Sequence, residues 1–168
     1  MTSFTATVLA AALLACLGSS HANVLESKVV GIADGDTITL LVSHREIKVR
    51  VAGIDAPEKK QPFGQRSKEH LSECAFGKTV SIEWNKTDRY GRTIGKVTAD
   101  GVDCGLRQIQ DGMAWHYKAY AKEQSAIERS AYSEAESHAR ASKAGLWSDP
   151  HPTPPWEFRH PATRIHID

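Results

Sequence analysis

The sequence DGDTITLLVSHREIKVRVAGIDAPE, residues 34–58, carries the strongest fold signal in the chain. Residues 37–42 and 46–52 alternate apolar with polar side chains, a period that is typical of half-buried β-strands. The residues between them, 43–45, predict a hairpin turn. An Asp-Gly pair at the start favours a tight turn, and Pro57 restricts the backbone near the end. The stretch therefore predicts two paired strands with polar residues at their ends.

Three carboxylates in this stretch are candidates for one cluster. Asp36 precedes the first predicted strand, and Asp55 and Glu58 follow the second. Asp36 has the same parity as the apolar face, which is an unfavourable place for a carboxylate unless a positive charge meets it. Carboxylate and carbonyl oxygens suit Ca²⁺ or Mg²⁺ better than zinc. The alternative is a solvated acidic rim whose aspartates serve only as turn residues.

Two arginines, Arg50 and Arg92, are candidates for binding phosphate. Guanidinium groups pair bidentately with phosphate oxygens and stabilise negative charge that develops during phosphoryl transfer. Either arginine alone is more typical of a surface salt bridge, because such pairs are common. Glu58 would serve as a general base toward water if it stays free of a metal.

Aromatic residues in the second half of the chain are candidates for stacking on bases of a single strand. The alternative for each is packing in the core. These residues are Tyr90, Trp115, Tyr117 and Tyr120.

The remaining patterns predict a small barrel with helices at its end. Five strands, with one helix after the third and further helices later, match the arrangement of an OB-fold, so we predict an α+β chain with a five-stranded OB-type barrel and about three helices. The other strands are predicted at 27–33, 79–84 and 92–98, and the helices at 62–76, 104–110 and 123–143.

Length and composition are those of one globular domain. The chain has 168 residues, of which 40% are hydrophobic and 24% charged. Its net charge is only +1, so a nucleic-acid partner would have to meet a local basic face. Residues 150–168 contain five prolines and predict a tail without regular structure.

Residues 1–22 resemble a secretory signal peptide, with an apolar run from position 8 to 17 and small residues before a cleavage site after Ala22. Cys16 lies in a segment that also resembles a lipoprotein box, which would instead place a lipid on that residue. The expected location is therefore periplasmic or secreted, with a lipid anchor as the alternative. In an exported chain, Cys74 and Cys104 would form a disulfide or remain two buried thiols.

Short motifs occur along the chain in an order that resembles the staphylococcal-nuclease-like (thermonuclease) family. The resemblance extends from about Val29 to Trp147 and assigns residues 23–149 to a nuclease domain. The motifs are DGDT (34–37), RVAGIDAPE (50–58), DRYGR (88–92), QDGMA (110–114) and GLWS (145–148).

The resemblance implies a role for each candidate residue. Asp36 and Asp55, with the carbonyl of Ala56, would bind Ca²⁺. Arg50 and Arg92 would hold the scissile phosphate, and Glu58 would activate water. Ala56 stands where the family has a threonine, which leaves the carbonyl available. The residues implied to contact the substrate are Arg89, Tyr90, Tyr117 and Tyr120.

The function implied is that of a Ca²⁺-dependent endonuclease acting on DNA and RNA. Single-stranded regions would be preferred, and products with 3′-phosphate ends are expected. We expect a monomer without stable membrane association unless Cys16 is lipidated. The alternative is a non-catalytic OB-fold module that binds nucleic acid.

Overall fold

The structure is a computed structural model that describes residues 23–160. The predicted signal peptide, residues 1–22, and Cys16 within it lie outside the described residues. The last part of the tail, residues 161–168, also lies outside them.

Five strands form a closed barrel. The strands are β1 (Asn23–Ile32), β2 (Thr37–Val42), β3 (Arg45–Val51), β4 (Ile54–Asp55), β5 (Thr79–Thr87), β6 (Thr93–Ala99), β7 (Val102–Asp103) and β8 (Trp115–His116). The hydrogen-bonded order in the barrel is β3-β2-β1-β5-β6, and a parallel pairing of β3 with β6 closes the ring, with Arg50 opposite Ile94. The prediction of a five-stranded OB-type barrel is confirmed.

The alternating residues of the central hairpin fill the barrel. Ile38 and Leu40 of β2 and Val49 and Val51 of β3 are completely buried. The turn between the strands places Ser43 and the following residue at positive φ, as a two-residue hairpin turn of the primed type requires.

Three substantial helices pack on the barrel, as predicted. The helices are α1 (Gly64–Ala75), α2 (Cys104–Gln110), α3 (Ala126–Ala141) and α4 (Pro155–Arg159), with 3-10 helices at Lys118–Glu123 and Gly145–Ser148. Helix α3 begins at Ala126 rather than at the predicted residue 123, because the Ser125 side chain and Glu128 form a capping box.

Helix α4 contradicts the expectation that the proline-rich tail has no regular structure. Pro155 occupies the first turn of this helix, where a missing N–H costs nothing. Pro155 is buried, and Trp156 packs against a second apolar cluster that contains Trp115 and Trp147. Prolines in the tail therefore set where the helix begins instead of preventing it.

Cys74 and Cys104 are joined by a disulfide bond, with their Cα atoms 5.9 Å apart. Cys74 lies near the end of α1 and Cys104 at the start of α2, and both are buried. The bond closes a loop of chain that includes β5 and β6.

Reduction of this disulfide is expected to lower the free energy of unfolding by about 2–5 kcal/mol, because an uncrosslinked unfolded chain has more conformations. Urea unfolding with and without dithiothreitol measures the change. A variant with alanine at both cysteines is the control, since reductant should leave its midpoint unchanged. An identical midpoint for the oxidised and reduced wild-type protein would contradict the prediction.

Among residues 23–160, no helix combines the length and apolar character needed to cross a lipid bilayer.

Candidate active site

One cleft of about 1010 Å³ opens at the end of the barrel where β3 and β6 meet. Most of the residues that the sequence singled out face this cleft. They are Asp36, Arg50, Glu58, Arg89, Tyr90, Arg92, Tyr117 and Tyr120. The cysteine pair lies elsewhere, between α1 and α2.

The loop before β2 holds Asp36 in place. The Asp36 N–H donates to Oδ1 of Asp34 at 3.2 Å, and the buried Gln108 donates from Nε2 to the carbonyl of Gly35 at 2.6 Å. A Cβ at Gly35 would lie 1.9 Å from Oγ of Ser67, so α1 approaches this loop too closely for any larger residue. The glycine therefore permits close packing against a helix.

Asp36 lies close to Asp55 because it forms a hydrogen bond with Ala56, the residue that follows Asp55. Asp36 is 7% exposed and Asp55 is 0% exposed. Oδ2 of Asp36 accepts the N–H of Ala56 at 3.2 Å, and Ala56 directly follows Asp55. Asp55 is fixed by the pairing of β4 with β8, where it lies opposite Trp115.

Arg50 connects the two aspartates. Its Nη2 lies 2.9 Å from Oδ1 of Asp55 and 3.4 Å from Oδ2 of Asp36. Its Nη1 donates to the carbonyl of Ile54 at 3.1 Å. Arg50 thus supplies the positive charge that the position of Asp36 requires.

Burial disfavours the ionised forms of two aspartates at this end of the barrel. Burial raises the pKa of Asp55, and the hydrogen bond from Arg159 and the charge of Arg50 offset this only in part. Burial also raises the pKa of Asp34 to about 6, with a contribution from the nearby charge of Asp36. Additional positive charge would therefore stabilise the ionised carboxylates.

The donor set fits a hard cation. Residues 23–160 contain no group of three or more His, Cys, Asp or Glu side chains arranged around a metal position. Two aspartates and one main-chain carbonyl, at Asp36, Asp55 and Ala56, are nevertheless oxygen donors of the kind that Ca²⁺ prefers. Ca²⁺ takes six to eight oxygen ligands, so water and substrate would complete its shell.

Arg92 is connected to Asp36 through the side chain of Thr37. Its Nη1 is 3.5 Å from Oγ1 of Thr37, which donates to Oδ1 of Asp36 at 2.9 Å. Asp88 fixes the turn by accepting the N–H groups of Tyr90 and Arg92 and the Nε–H of Arg92 at 2.7 Å. Although burial opposes it, these hydrogen bonds hold the pKa of Asp88 below its usual value.

Exposed tyrosines beside basic groups form the outer rim of the cleft. Tyr90 is 68% exposed and lies 4.9 Å from the Arg89 guanidinium, measured to the ring centre. Tyr120 is 47% exposed, with the Lys86 ammonium 4.9 Å from its ring centre. Tyr117 lies deeper, 5.8 Å from the Arg50 guanidinium. The rim therefore combines aromatic faces with positive charge.

Trp115 is excluded from this rim. It is buried, and its ring centre lies 5.2 Å from that of Trp147 and 6.4 Å from that of Trp156. Of the two interpretations of this residue, packing is correct.

Sequence reasoning missed Arg159, a third arginine at the carboxylates. Its Nη2 lies 2.7 Å from Oδ2 of Asp55, and its Nη1 donates to Oε1 of Glu58 at 2.8 Å. A proline followed by an apolar residue, as at Pro155 and Trp156, is the signal that would have indicated helix α4. No local pattern indicated that Arg159 would reach Asp55.

Comparison with known proteins identifies the family. Residues 48–149 match the family described as Staphylococcal nuclease homologue. The chain is 43% identical over 141 residues to a micrococcal nuclease of Shigella flexneri, with 79% of each chain covered. It is 41% identical over 133 residues to an uncharacterized endonuclease of Haemophilus influenzae, covering 79% of this chain and 71% of the relative. An uncharacterized endonuclease of Escherichia coli is 38% identical over 137 residues, covering 81% of this chain and 86% of the relative.

A match of this extent, on a closed five-stranded barrel with three packed helices, places the chain in the staphylococcal nuclease family.

Proposed function

We propose that this protein is an exported endonuclease that hydrolyses phosphodiester bonds in DNA and RNA with Ca²⁺ as its cofactor. The observation that carries the proposal is the pairing of Arg50 with Asp36 and Asp55 beside one cleft that Glu58 also lines. Relatives named micrococcal nuclease and endonuclease support the reaction class.

Hydrolysis needs a proton acceptor and donors for a negative phosphate. In the proposed reaction a water oxygen attacks phosphorus, Glu58 accepts the proton of that water, and the bond from phosphorus to the 5′ oxygen breaks. The 5′ oxygen leaves with a proton from solvent, so the products carry 3′-phosphate and 5′-hydroxyl ends. Arg50 and Arg92, which both line the cleft, would donate to the phosphate oxygens and stabilise the added charge.

The Ca²⁺ ion would be held by the carboxylates of Asp36 and Asp55 and the carbonyl of Ala56. When bound, it would supply positive charge that offsets the charge of the phosphate. The burial of both aspartates supports this assignment, because buried carboxylates are stabilised by a bound cation.

The rim of the cleft would bind the nucleotides on either side of the phosphate. Tyr90 and Tyr120 present open ring faces, and Arg89 adds positive charge beside them. Stacking of this kind needs unpaired bases, so the proposal includes a preference for single-stranded regions. Tyr117 would line the inner part of the same surface.

Export is proposed from residues 1–22 alone. Cleavage after Ala22 would give a mature chain that begins at Asn23, whereas lipidation would retain Cys16 as the first residue. Mass spectrometry of the purified mature protein distinguishes these two N-termini. We propose that the mature protein is a monomer.

Incubation with heat-denatured DNA tests the function. We expect degradation with Ca²⁺, no degradation with a chelator, slower cleavage of the same DNA as duplex, and cleavage of single-stranded RNA. Fragments should become substrates for 5′ labelling by a kinase without prior phosphatase treatment, because the 5′ ends carry free hydroxyls. Binding of denatured DNA without any degradation would contradict the proposal and favour a non-catalytic binding module.

A further inference from the structure

The C-terminal segment, residues 150–160, is docked on the candidate active site. Trp156 packs with its ring centre 5.8 Å from that of Tyr117 and 6.4 Å from that of Trp115. The buried Gln61 donates from Nε2 to the carbonyl of Thr153. The same Gln61 accepts the main-chain N–H of Glu58 at 3.1 Å, so one side chain connects the segment to the site.

Docking brings Arg159 onto two carboxylates. Its guanidinium contacts Asp55 with both terminal nitrogens, at 3.2 Å to Oδ1 and 2.7 Å to Oδ2. It also donates to Oε1 of Glu58 at 2.8 Å. Because Arg50 holds Oδ1 of Asp55 as well, both oxygens of this carboxylate have a guanidinium partner.

We propose that Arg159 sets the cation affinity of the site, because its guanidinium and a divalent cation compete for Asp55. The inference rests on the proposed function, in which Asp55 is a ligand of the cation and Glu58 is the proton acceptor. Arg159 occupies both carboxylates in the docked state.

Competition follows from charge and geometry. Asp55 is completely buried, so it cannot turn toward solvent to meet a second cation while Arg159 remains bound. A guanidinium and a divalent cation a few ångströms apart also repel each other more strongly in a partly buried site than in water. Cation binding therefore requires Arg159 to leave, and the apparent affinity falls by the fraction of molecules in which it has left.

Departure of Arg159 would also change the substrate surface. Trp156 belongs to the same short helix, and it lies against Tyr117 on the inner wall of the cleft. Movement of the segment would uncover the ring of Tyr117 at the same time as it frees Glu58. In the proposal, therefore, cation binding is coupled to opening of the cleft through this segment.

Calorimetric titration with CaCl₂ alone tests the inference without a substrate. The proteins are the wild type, Arg159→Gln, Arg159→Lys, and Arg129→Gln as a control for the loss of a positive charge. Arg129 is exposed on α3 and does not line the cleft. Tryptophan fluorescence during the same titration, with and without Trp156→Phe, reports whether the segment moves.

We expect Arg159→Gln to lower the Kd for Ca²⁺ by about tenfold, Arg159→Lys to lower it less, and Arg129→Gln to leave it unchanged. The Ca²⁺-induced change in fluorescence should be largely lost in Trp156→Phe. Equal or weaker Ca²⁺ binding by Arg159→Gln would overturn the inference. It would not contradict the proposed function, which the degradation of denatured DNA tests independently. Absence of Ca²⁺ binding by every variant would overturn both the inference and the proposed cofactor.

Discussion

Glu58→Gln is expected to lower the rate of cleavage of denatured DNA by about 10²–10⁴-fold, the usual range for loss of a general base. Glutamine keeps the shape of the side chain and its hydrogen-bonding capacity toward Arg159, but it cannot accept a proton at neutral pH. The Glu58 side chain is 37% exposed, so the substitution should leave the melting temperature and the affinity for DNA close to those of the wild type. Single-turnover cleavage and thermal unfolding measure the two quantities.

Glu73→Gln is the matched control for this substitution. Glu73 is exposed on α1 and does not line the cleft, so its loss of charge should leave the cleavage rate unchanged. A rate for Glu58→Gln within about threefold of the control would show that another group accepts the proton.

Arg50→Lys is expected to lower kcat by about 10²–10³-fold, comparable with the loss of one preorganised donor to a developing charge. Lysine keeps the positive charge, but a single ammonium cannot reproduce the planar fork that reaches Asp55, Asp36 and the carbonyl of Ile54. The melting temperature should also fall, because Asp55 is buried and would lose part of its hydrogen bonding.

Kinetic and structural effects of Arg50→Lys can be separated. Rates are compared at a temperature well below the unfolding transition of the variant, and Arg129→Lys on the exposed face of α3 serves as the control. If kcat in the folded variant matches that of the control, then Arg50 holds the aspartates together but does not act on the phosphate.

The strands of the barrel could be predicted because the alternation of apolar and polar residues lies within each strand segment. Alternation along residues 37–42 and 46–52 fixed which side chains point inward, and Ile38 and Val49 are buried as their parity requires. Parity also indicated that Asp36 would need a positive partner. It could not identify Arg50 as that partner, because the strand register places Thr37, not Asp36, opposite Arg50.

The contact of Arg50 with Asp55 depends on how the chain turns after β3. Gly53 adopts a positive φ of 75°, and the chain then returns toward the strand that it has just left. Motif resemblance supplied the same set of residues, but it gave no distances. This turn depends on the backbone conformation at Gly53, which the alternation of apolar and polar side chains does not indicate.

The C-terminal segment could not be placed from its sequence. Its prolines exclude long helices and strands, but they allow a short helix that begins with a proline. The docking depends on contacts of Trp156 with Trp115 and Tyr117, which are distant from it in sequence. Contacts of this kind arise only in the assembled fold.

The parallel pairing of β3 with β6 determines when, during folding, the site is assembled. Arg50 lies in that pairing and Arg92 directly precedes the strand that makes it, so the two proposed phosphate donors meet only when the ring closes. Closing the ring joins segments that are far apart in the chain, and such pairings carry a large entropic cost during folding. We therefore expect the proposed nuclease activity to be absent from a nascent chain, although that chain carries every side chain of the site.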